Sequence, residues 1–467
     1  MDQRSVPTLL EIAAKSLMSN EPGGIHALQV LPKQIFIQLF TTAFLGRHKN
    51  MLKEIVKVWP FQCLHIGTLD IEESPYDILE ALVDGLQFLP TQNSSSGGSK
   101  LRILDLTQSS HHGITCYYRA KYQFCFRSCI YSQHSILKLE ESQDRVRCLG
   151  KGASESESVS ARKRIELLVD ISFSCTMRIK QFISFLKTKV EQSAGSLHIC
   201  CRKLQIDTMC VHTRSLQFLD AACINHLEVN RVHLKNVISL FPHLTHLEII
   251  KLTAIPLHSC EGRNFNFFLT WLGKLEILQE LSLSSFSLTD QLHRLLRVLK
   301  PRLTTLSLSL CHLSKSDIIV LSQSFQATCL KQLNLSNNKI FRDDYEPFLT
   351  LLERVSSTLQ HLEINNCKMT DSVLSALLPP LSRCSQLRVF SFAFNAISMP
   401  ALINFLQHIT TWMNLRYVIY PIPAHCYEHS NFHVCVNRQK LAEVQAQVKH
   451  ILQVAKREDM YCSISRA

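Results

Sequence analysis

Leu330-Lys331-Gln332-Leu333-Asn334-Leu335-Ser336-Asn337-Asn338 is the stretch that decides the fold. Its leucines stand at positions one, four and six, followed by an Asn three residues beyond the last of them. The same L-x-x-L-x-L spacing begins at Leu278 and Leu303 before it, and at Leu359, Leu387 and Leu415 after it. Successive starts are 25, 27, 29, 28 and 28 residues apart. Self-similarity at a fixed period outranks any local reading of helix or strand.

That period predicts long leucine-rich repeats, each a strand followed by a helix. Three residues beyond the strand's last apolar residue, a side chain must turn inward and satisfy bared backbone groups. Cys311, Asn338, Cys367 and Asn395 occupy that position in consecutive repeats. Segments between the strands, such as Asp317 to Phe325 and Ser372 to Leu381, have helical apolar spacing. Weaker repeats are read at Ile224, at Leu244-x-x-Leu247-x-Ile249 and, isolated, at Leu101-x-x-Leu104-x-Leu106. The expected fold class is α/β: a leucine-rich-repeat solenoid (horseshoe), with parallel strands on the concave face, helices on the convex face and an N-terminal helical cap.

Four regions follow. Residues 1–95 form the cap, 96–165 hold the isolated first strand and a polar insertion, 166–420 carry the repeats, and 421–467 close the array. Helical periodicity runs from Thr8 to Leu89 with a turn at Trp59-Pro60, and Val436 to Val454 reads as a closing amphipathic helix. Gln92 to Lys100 is a polar break, and Arg145 to Arg164 has the composition of a loosely ordered loop. Arg162-Lys163-Arg164 within it reads as a solvated charge cluster more than as a nuclear signal.

Composition narrows the function. Hydrophobic residues make up 46% of the chain and charged residues 19%, enough apolar surface for a folded core. Eighteen cysteines at irregular spacing, with no C-x-x-C, exclude RING, zinc-ribbon and thioredoxin patterns. No apolar leader or membrane-length run is present, so the expected location is cytoplasm and nucleus. The net charge of +12 is dispersed and forms no stripe, so direct nucleic-acid binding is not expected. Catalytic motifs are missing: there is no H-E-x-x-H, G-x-S-x-G, phosphate-cradling loop or dinucleotide fingerprint. The reading is therefore a non-enzyme with no cofactor and no metal. Two Cys/His groups, Cys116 with Cys125, Cys129 and His134, and His425 with Cys426, His429, His433 and Cys435, lack zinc-ligand spacing. Two L-x-x-L-L sequences, at Leu292 and Leu374, are read as core faces of repeat helices rather than receptor-docking motifs.

Longer stretches carry a family resemblance. Ser5 to Glu11, Ala43 to Arg47, Trp59-Pro60-Phe61, Leu168-Val169-Asp170, Gly195 to Leu204, Thr358-Leu359-Gln360, Cys384 to Leu387 and Tyr420-Pro421 resemble the PRAME family (preferentially expressed antigen in melanoma and its relatives). The resemblance implies a leucine-rich horseshoe that serves as a substrate receptor of cullin-2 ubiquitin ligases. It also implies association with transcriptional repression, proliferation, and blocked differentiation and apoptosis. On that reading Thr8, Leu9, Ala13 and Leu17 would dock Elongin B/C from one helix face, with Ala13 where the family pattern usually has Cys. Leu31, Pro32, Ile35 and Leu39 would contact cullin-2. The alternative is a transcriptional corepressor or signalling scaffold acting without degradation, or a stoichiometric inhibitor.

The third, fifth and seventh residues of each repeat are expected on the concave face, where solenoids bind. Glu228, Glu248, Glu280, Asn334 and Glu363 are the candidate substrate contacts. No Lys or Arg falls at these positions in the register read here, so a row of carboxylates led by Glu228 and Glu248, with Asp105 in the isolated repeat, is expected to face a basic protein segment.

Overall fold

In a computed structural model of the chain, residues 8–66, 76–86, 99–106, 164–173, 177–207, 218–256, 262–342, 344–430 and 433–464 are described. The insertion from Arg145 through Lys163, most of the Gln92 to Lys100 break, and the group Cys116, Cys125, Cys129 and His134 lie outside them. The chain divides into two compact units, 1–205 with 210–224, and 206–209 with 225–467.

The first unit opens with four helices. Helix α1, Leu9–Ser19, starts at a reciprocal capping box in which Thr8 Oγ1 accepts the Glu11 amide and the Glu11 carboxylate accepts the Thr8 amide. Helix α2, Glu21–Ala27, starts at Asn20 with Pro22 in its first turn. Helix α3, Ile35–Leu45, is apolar nearly all round and is accordingly core, burying Phe36, Ile37, Leu39, Phe40, Ala43 and Phe44. Helix α4, Lys49–Lys57, is sharply amphipathic and buries Met51, Leu52, Ile55 and Val56. Trp59 closes this group: it is fully buried, packs edge-on to Phe36, Phe40 and Phe61, and donates its indole N–H to the Cys63 carbonyl at 2.9 Å.

Beyond Trp59 the expected purely helical cap gives way to sheet. Strands β1 (Cys63–His65), β2 (Ile103–Asp105), β3 (Ile165–Leu168), β4 (Ile171–Phe173), β5 (Leu197–Cys200) and β6 (Lys203–Asp207) alternate with helices α5 (Tyr76–Asp84) and α6 (Met177–Gln192). Strands β1, β2, β3 and β5 form a parallel sheet in that order. The strand at Leu101–Leu106 is thus a member of a four-strand sheet and not an isolated repeat. Asp105 sits in this sheet between His65 and Leu168 and is buried, so it belongs to no carboxylate row with Glu228.

The second unit is the leucine-rich-repeat solenoid. Strands β7 (His226–Asn230), β8 (Ile249–Thr253), β9 (Glu280–Ser284), β10 (Thr305–Ser309), β11 (Gln332–Asn334), β12 (His361–Glu363), β13 (Val389–Ser391) and β14 (Tyr417–Tyr420) pair in chain order, all parallel. A hairpin of β15 (Tyr427–Ser430) and β16 (His433–Val436) follows, and β17 (Tyr461–Ile464) then adds to the edge of β14. Helices α7 (Leu234–Ile238), α8 (Gly262–Leu272), α9 (Leu292–Val298), α10 (Lys315–Gln323), α11 (Glu346–Val355), α12 (Asp371–Ser382) and α13 (Met399–Ile409) return the chain between strands, and α14 is Arg438–Val454. Both L-x-x-L-L sequences are core: Leu292, Leu295 and Leu296 in α9, and Leu374 and Leu377 in α12, are buried.

The inward position behaves as its chemistry demands. Asn338 is buried; its Nδ2 donates to the carbonyls of Leu308, Leu335 and Ser336, and its Oδ1 accepts the amides of Cys311 and Leu313. Asn395 repeats the arrangement on Ile364, Phe392, Ala393, Cys367 and Met369. The thiols of Cys311 and Cys367 reach back to the carbonyls of Leu283 and Leu335. Just before the inward residue the backbone turns left-handed at Arg231, Ala254, Ser285, Leu310, Asn337, Asn366 and Phe394. Only Asn adopts that conformation readily among these residue types.

Candidate functional site

Two surfaces hold the residues singled out by sequence. The first is the outer side of α1. Ala14 and Met18 are buried, so the opposite face is left to solvent. Leu9 is 85% exposed, Ile12 51% and Leu10 42%; Ala13 is exposed as well, and Leu17 is half-buried. The capping box fixes Thr8 at the start of this face. Thr8, Leu9, Ala13 and Leu17 therefore share one helix, with apolar side chains turned away from the unit's own core.

The downstream set is split. Pro32 is exposed and Leu31 and Ile35 are half-buried, but Leu39 is completely buried in α3. A side chain closed off on every side cannot touch a partner, so Leu39 is a packing residue and the proposed cullin contact shrinks to Leu31, Pro32 and Ile35. The aliphatic pattern extended to Leu39 because α3 is apolar on all sides.

The second surface is the open face of the second unit's sheet, and here the structure corrects the register. Strand β8 begins at Ile249; Ile250 and Leu252 point into the core, so the repeat is Leu247-x-x-Ile250-x-Leu252 and not Leu244-x-x-Leu247-x-Ile249. Ile250, read as outward, is fully buried, and Glu248 lies just before the strand. Lys251, not Glu248, pairs with Glu228, and Ser282, Ser307, Asn334, Glu363 and Ser391 continue that row. Apolar residues every third position satisfied both readings. The spacing could have decided between them: starts at 224, 244 and 278 are 20 and 34 apart, whereas 224, 247 and 278 are 23 and 31 apart.

The shift changes the electrostatics. A lysine stands in the face, and Lys251 Nζ lies 3.0 Å from Glu280 Oε1. Glu363 accepts from Asn334 Nδ2 at 2.9 Å and lies 2.8 Å from His361 Nε2. Asn365 accepts the Ser391 hydroxyl at 2.7 Å. The unbroken carboxylate row does not form, and Glu280 and Glu363 have partners supplied by the sheet itself. The charge argument for a basic ligand falls with it; what remains is a mixed polar face of hydroxyls, amides and compensated charges. Among the described residues one set of potential metal ligands comes together, His198, Asp220 and Cys223, and it is neither of the Cys/His groups considered from sequence.

Comparison with known proteins agrees with the architecture. Residues 6–112 match the PRAME N-terminal domain and residues 165–464 the PRAME C-terminal domain. PRAME family member 8 of Homo sapiens is 32% identical over 443 residues, covering 92% of this chain and 88% of that protein. Leucine-rich repeat-containing protein 14 of Mus musculus is 28% identical over 491 residues, covering 95% and 94%. A solved structure, the Rad7 and Elc1 complex in yeast, is similar at a TM-score of 0.39 and 14% identity, covering 85% of this chain and 96% of that one, too loosely to bear on function. No helix among the described residues is long and apolar enough to cross a membrane.

Proposed function

The chain belongs to the PRAME family, and on that premise we propose that it is the substrate-recognition subunit of a cullin-2/Elongin BC ubiquitin ligase, acting in cytoplasm and nucleus. The observation that supports this reading most is the outer face of α1, where Leu9, Leu10 and Ile12 stand exposed on a well-capped helix. Exposed apolar side chains grouped on one helix are the usual mark of a helix-docking surface. In this reading Thr8, Leu9, Ala13 and Leu17 meet Elongin, Leu31, Pro32 and Ile35 meet the cullin, and the sheet face of the repeats holds the protein to be ubiquitinated. Transfer of ubiquitin belongs to the partners. Effects on transcription, proliferation, differentiation and apoptosis would follow from which substrate is removed.

The test is co-purification of the full chain with Elongin B, Elongin C and cullin-2 from cells. Leu9→Ala with Leu17→Ala should abolish Elongin capture. Leu9→Asp alone should do the same at no cost in folding, since the side chain is exposed and an acid suits a first helical turn. Pro32→Ala should weaken cullin capture with Elongin retained. Normal Elongin capture by Leu9→Asp would dismiss the docking role of α1.

A further inference from the structure

Four side chains that the proposed ligase function does not use converge at one edge of the first unit's sheet. His198 and Cys200 are two residues apart on β5, the spacing that puts imidazole and thiol on the same side of a strand. The chain returns across them at Asp220 and Cys223. One Asp220 oxygen caps the short turn Ala221–Cys223 by accepting the Ala222 amide at 2.9 Å, and the other lies 3.1 Å from His198 Nε2. The ligand atoms of His198, Asp220 and Cys223 all lie within 4.8 Å of one another. The Cys200 thiol neighbours that of Cys223 closely enough for each to influence the other's ionisation.

We propose that His198, Cys200, Asp220 and Cys223 form a structural zinc site that ties the 218–224 segment to strand β5. Zinc takes thiolate at about 2.3 Å and imidazole or carboxylate at about 2.0–2.2 Å in a tetrahedron, so its ligand atoms stand roughly 3.3–3.8 Å apart. His198, Asp220 and Cys223 need to shift by no more than about an ångström to reach that spacing, and Cys200, which stands outside their 4.8 Å cluster, has to swing in as the fourth ligand. The donor types select the metal: two soft thiols and an imidazole suit zinc and are not ligands for magnesium or calcium. Four protein ligands leave no open position, which is the pattern of a structural and not a catalytic site. The positive charge of Arg202 acts on Cys200, offsetting part of the negative charge that two thiolates and a carboxylate bring. Sequence spacing concealed the set, because His198-x-Cys200 and Asp220-x-x-Cys223 are not paired zinc-knuckle motifs.

The full chain, purified under reductant and stripped with a chelator, is titrated with Co²⁺ as the spectroscopic probe and then with Zn²⁺. One equivalent of Co²⁺ should bind with a thiolate-to-cobalt charge-transfer band that Zn²⁺ abolishes. Cys223→Ser should remove about half of the band's intensity, as should Cys200→Ser, while Cys63→Ser, a buried cysteine of β1, should leave it intact. His198→Gln and Asp220→Asn sit at exposed positions that fold without difficulty; each should keep the band and weaken binding by more than about tenfold. No stoichiometric Co²⁺ binding, a full band in Cys223→Ser, or unchanged affinity in both His198→Gln and Asp220→Asn would overturn the site.

Discussion

Replacing Asn338 by Leu tests the inward ladder at its best-defined rung. The side chain is 1% exposed and joins two successive repeats through five hydrogen bonds. Of its partners, the Ser336 carbonyl also accepts the Leu310 amide, and the Leu335 carbonyl also accepts the Cys367 thiol. The amides of Cys311 and Leu313 are the groups that leucine strands outright. Two buried N–H groups at about 1–3 kcal/mol each, less about 1 kcal/mol for the added apolar burial, give a net loss of roughly 1–5 kcal/mol. Urea denaturation of the full chain should show an earlier transition. Hydrogen exchange followed by mass spectrometry should show deprotection centred on Cys311 to Leu313. Unchanged exchange at those amides, with an unchanged denaturation midpoint, would refute the claim that the Asn amide holds the strand-to-helix corner.

Phe394 adopts φ 57° and is half exposed, so Phe394→Gly should remove conformational strain while losing little packing, and raise stability by about 1 kcal/mol, seen as a higher melting temperature. Arg457 is buried, with its guanidinium donating to the carbonyls of Thr410, Trp412 and Leu415 and paired with Asp459; Arg457→Met should cost about 2–3 kcal/mol and make β17 the first site of proteolysis. Acid should loosen α5. A hydrogen bond from Lys49, aided by Arg178, holds Asp77 below its usual 3.8; burial opposes the charge of Asp84, but Lys189 and Lys53 outweigh it and lower it too. Lowered carboxylates contribute stability that is complete above the unfolded value and is lost as pH falls through the folded one, so hydrogen exchange in α5 should rise only below about pH 4.

The repeats from Leu278 onward were legible because their spacing hardly varies and because Asn338 and Asn395 carry a side chain with one evident purpose. The repeat near Leu247 was misread because leucines at 244 and 247 and isoleucines at 249 and 250 satisfy two registers locally. The strands of the first unit escaped notice for a different reason. Ile165-Glu166-Leu167-Leu168 is only four residues long and buried at every position, so it shows no alternation of the kind that marks a half-exposed strand. In α1, spacing sufficed to place Leu9 and Ala13 on one helix face, but only packing could reveal that this face is exposed and that Leu39 of α3 faces inward. The cluster at His198 was beyond sequence reading, since 19 residues separate Cys200 from Asp220 and only the return of the chain brings them together.

The ladder's alternation of thiol and amide gives the repeats a grain. Asn338 and Asn395 each reach back with three amide hydrogen bonds to the repeat before, whereas Cys311 and Cys367 reach back with weak S–H donors. Firm seams therefore join the Leu303 repeat to the Leu330 repeat and the Leu359 repeat to the Leu387 repeat, with a softer seam between the two pairs. The array behaves as doublets whose period, 56 residues from Leu303 to Leu359 and 57 from Leu330 to Leu387, is twice that of the leucines. Nearest-neighbour cooperativity in such an array is uneven. Under mechanical extension the chain should yield in two-repeat steps, with the first parting between Asn338 and Cys367.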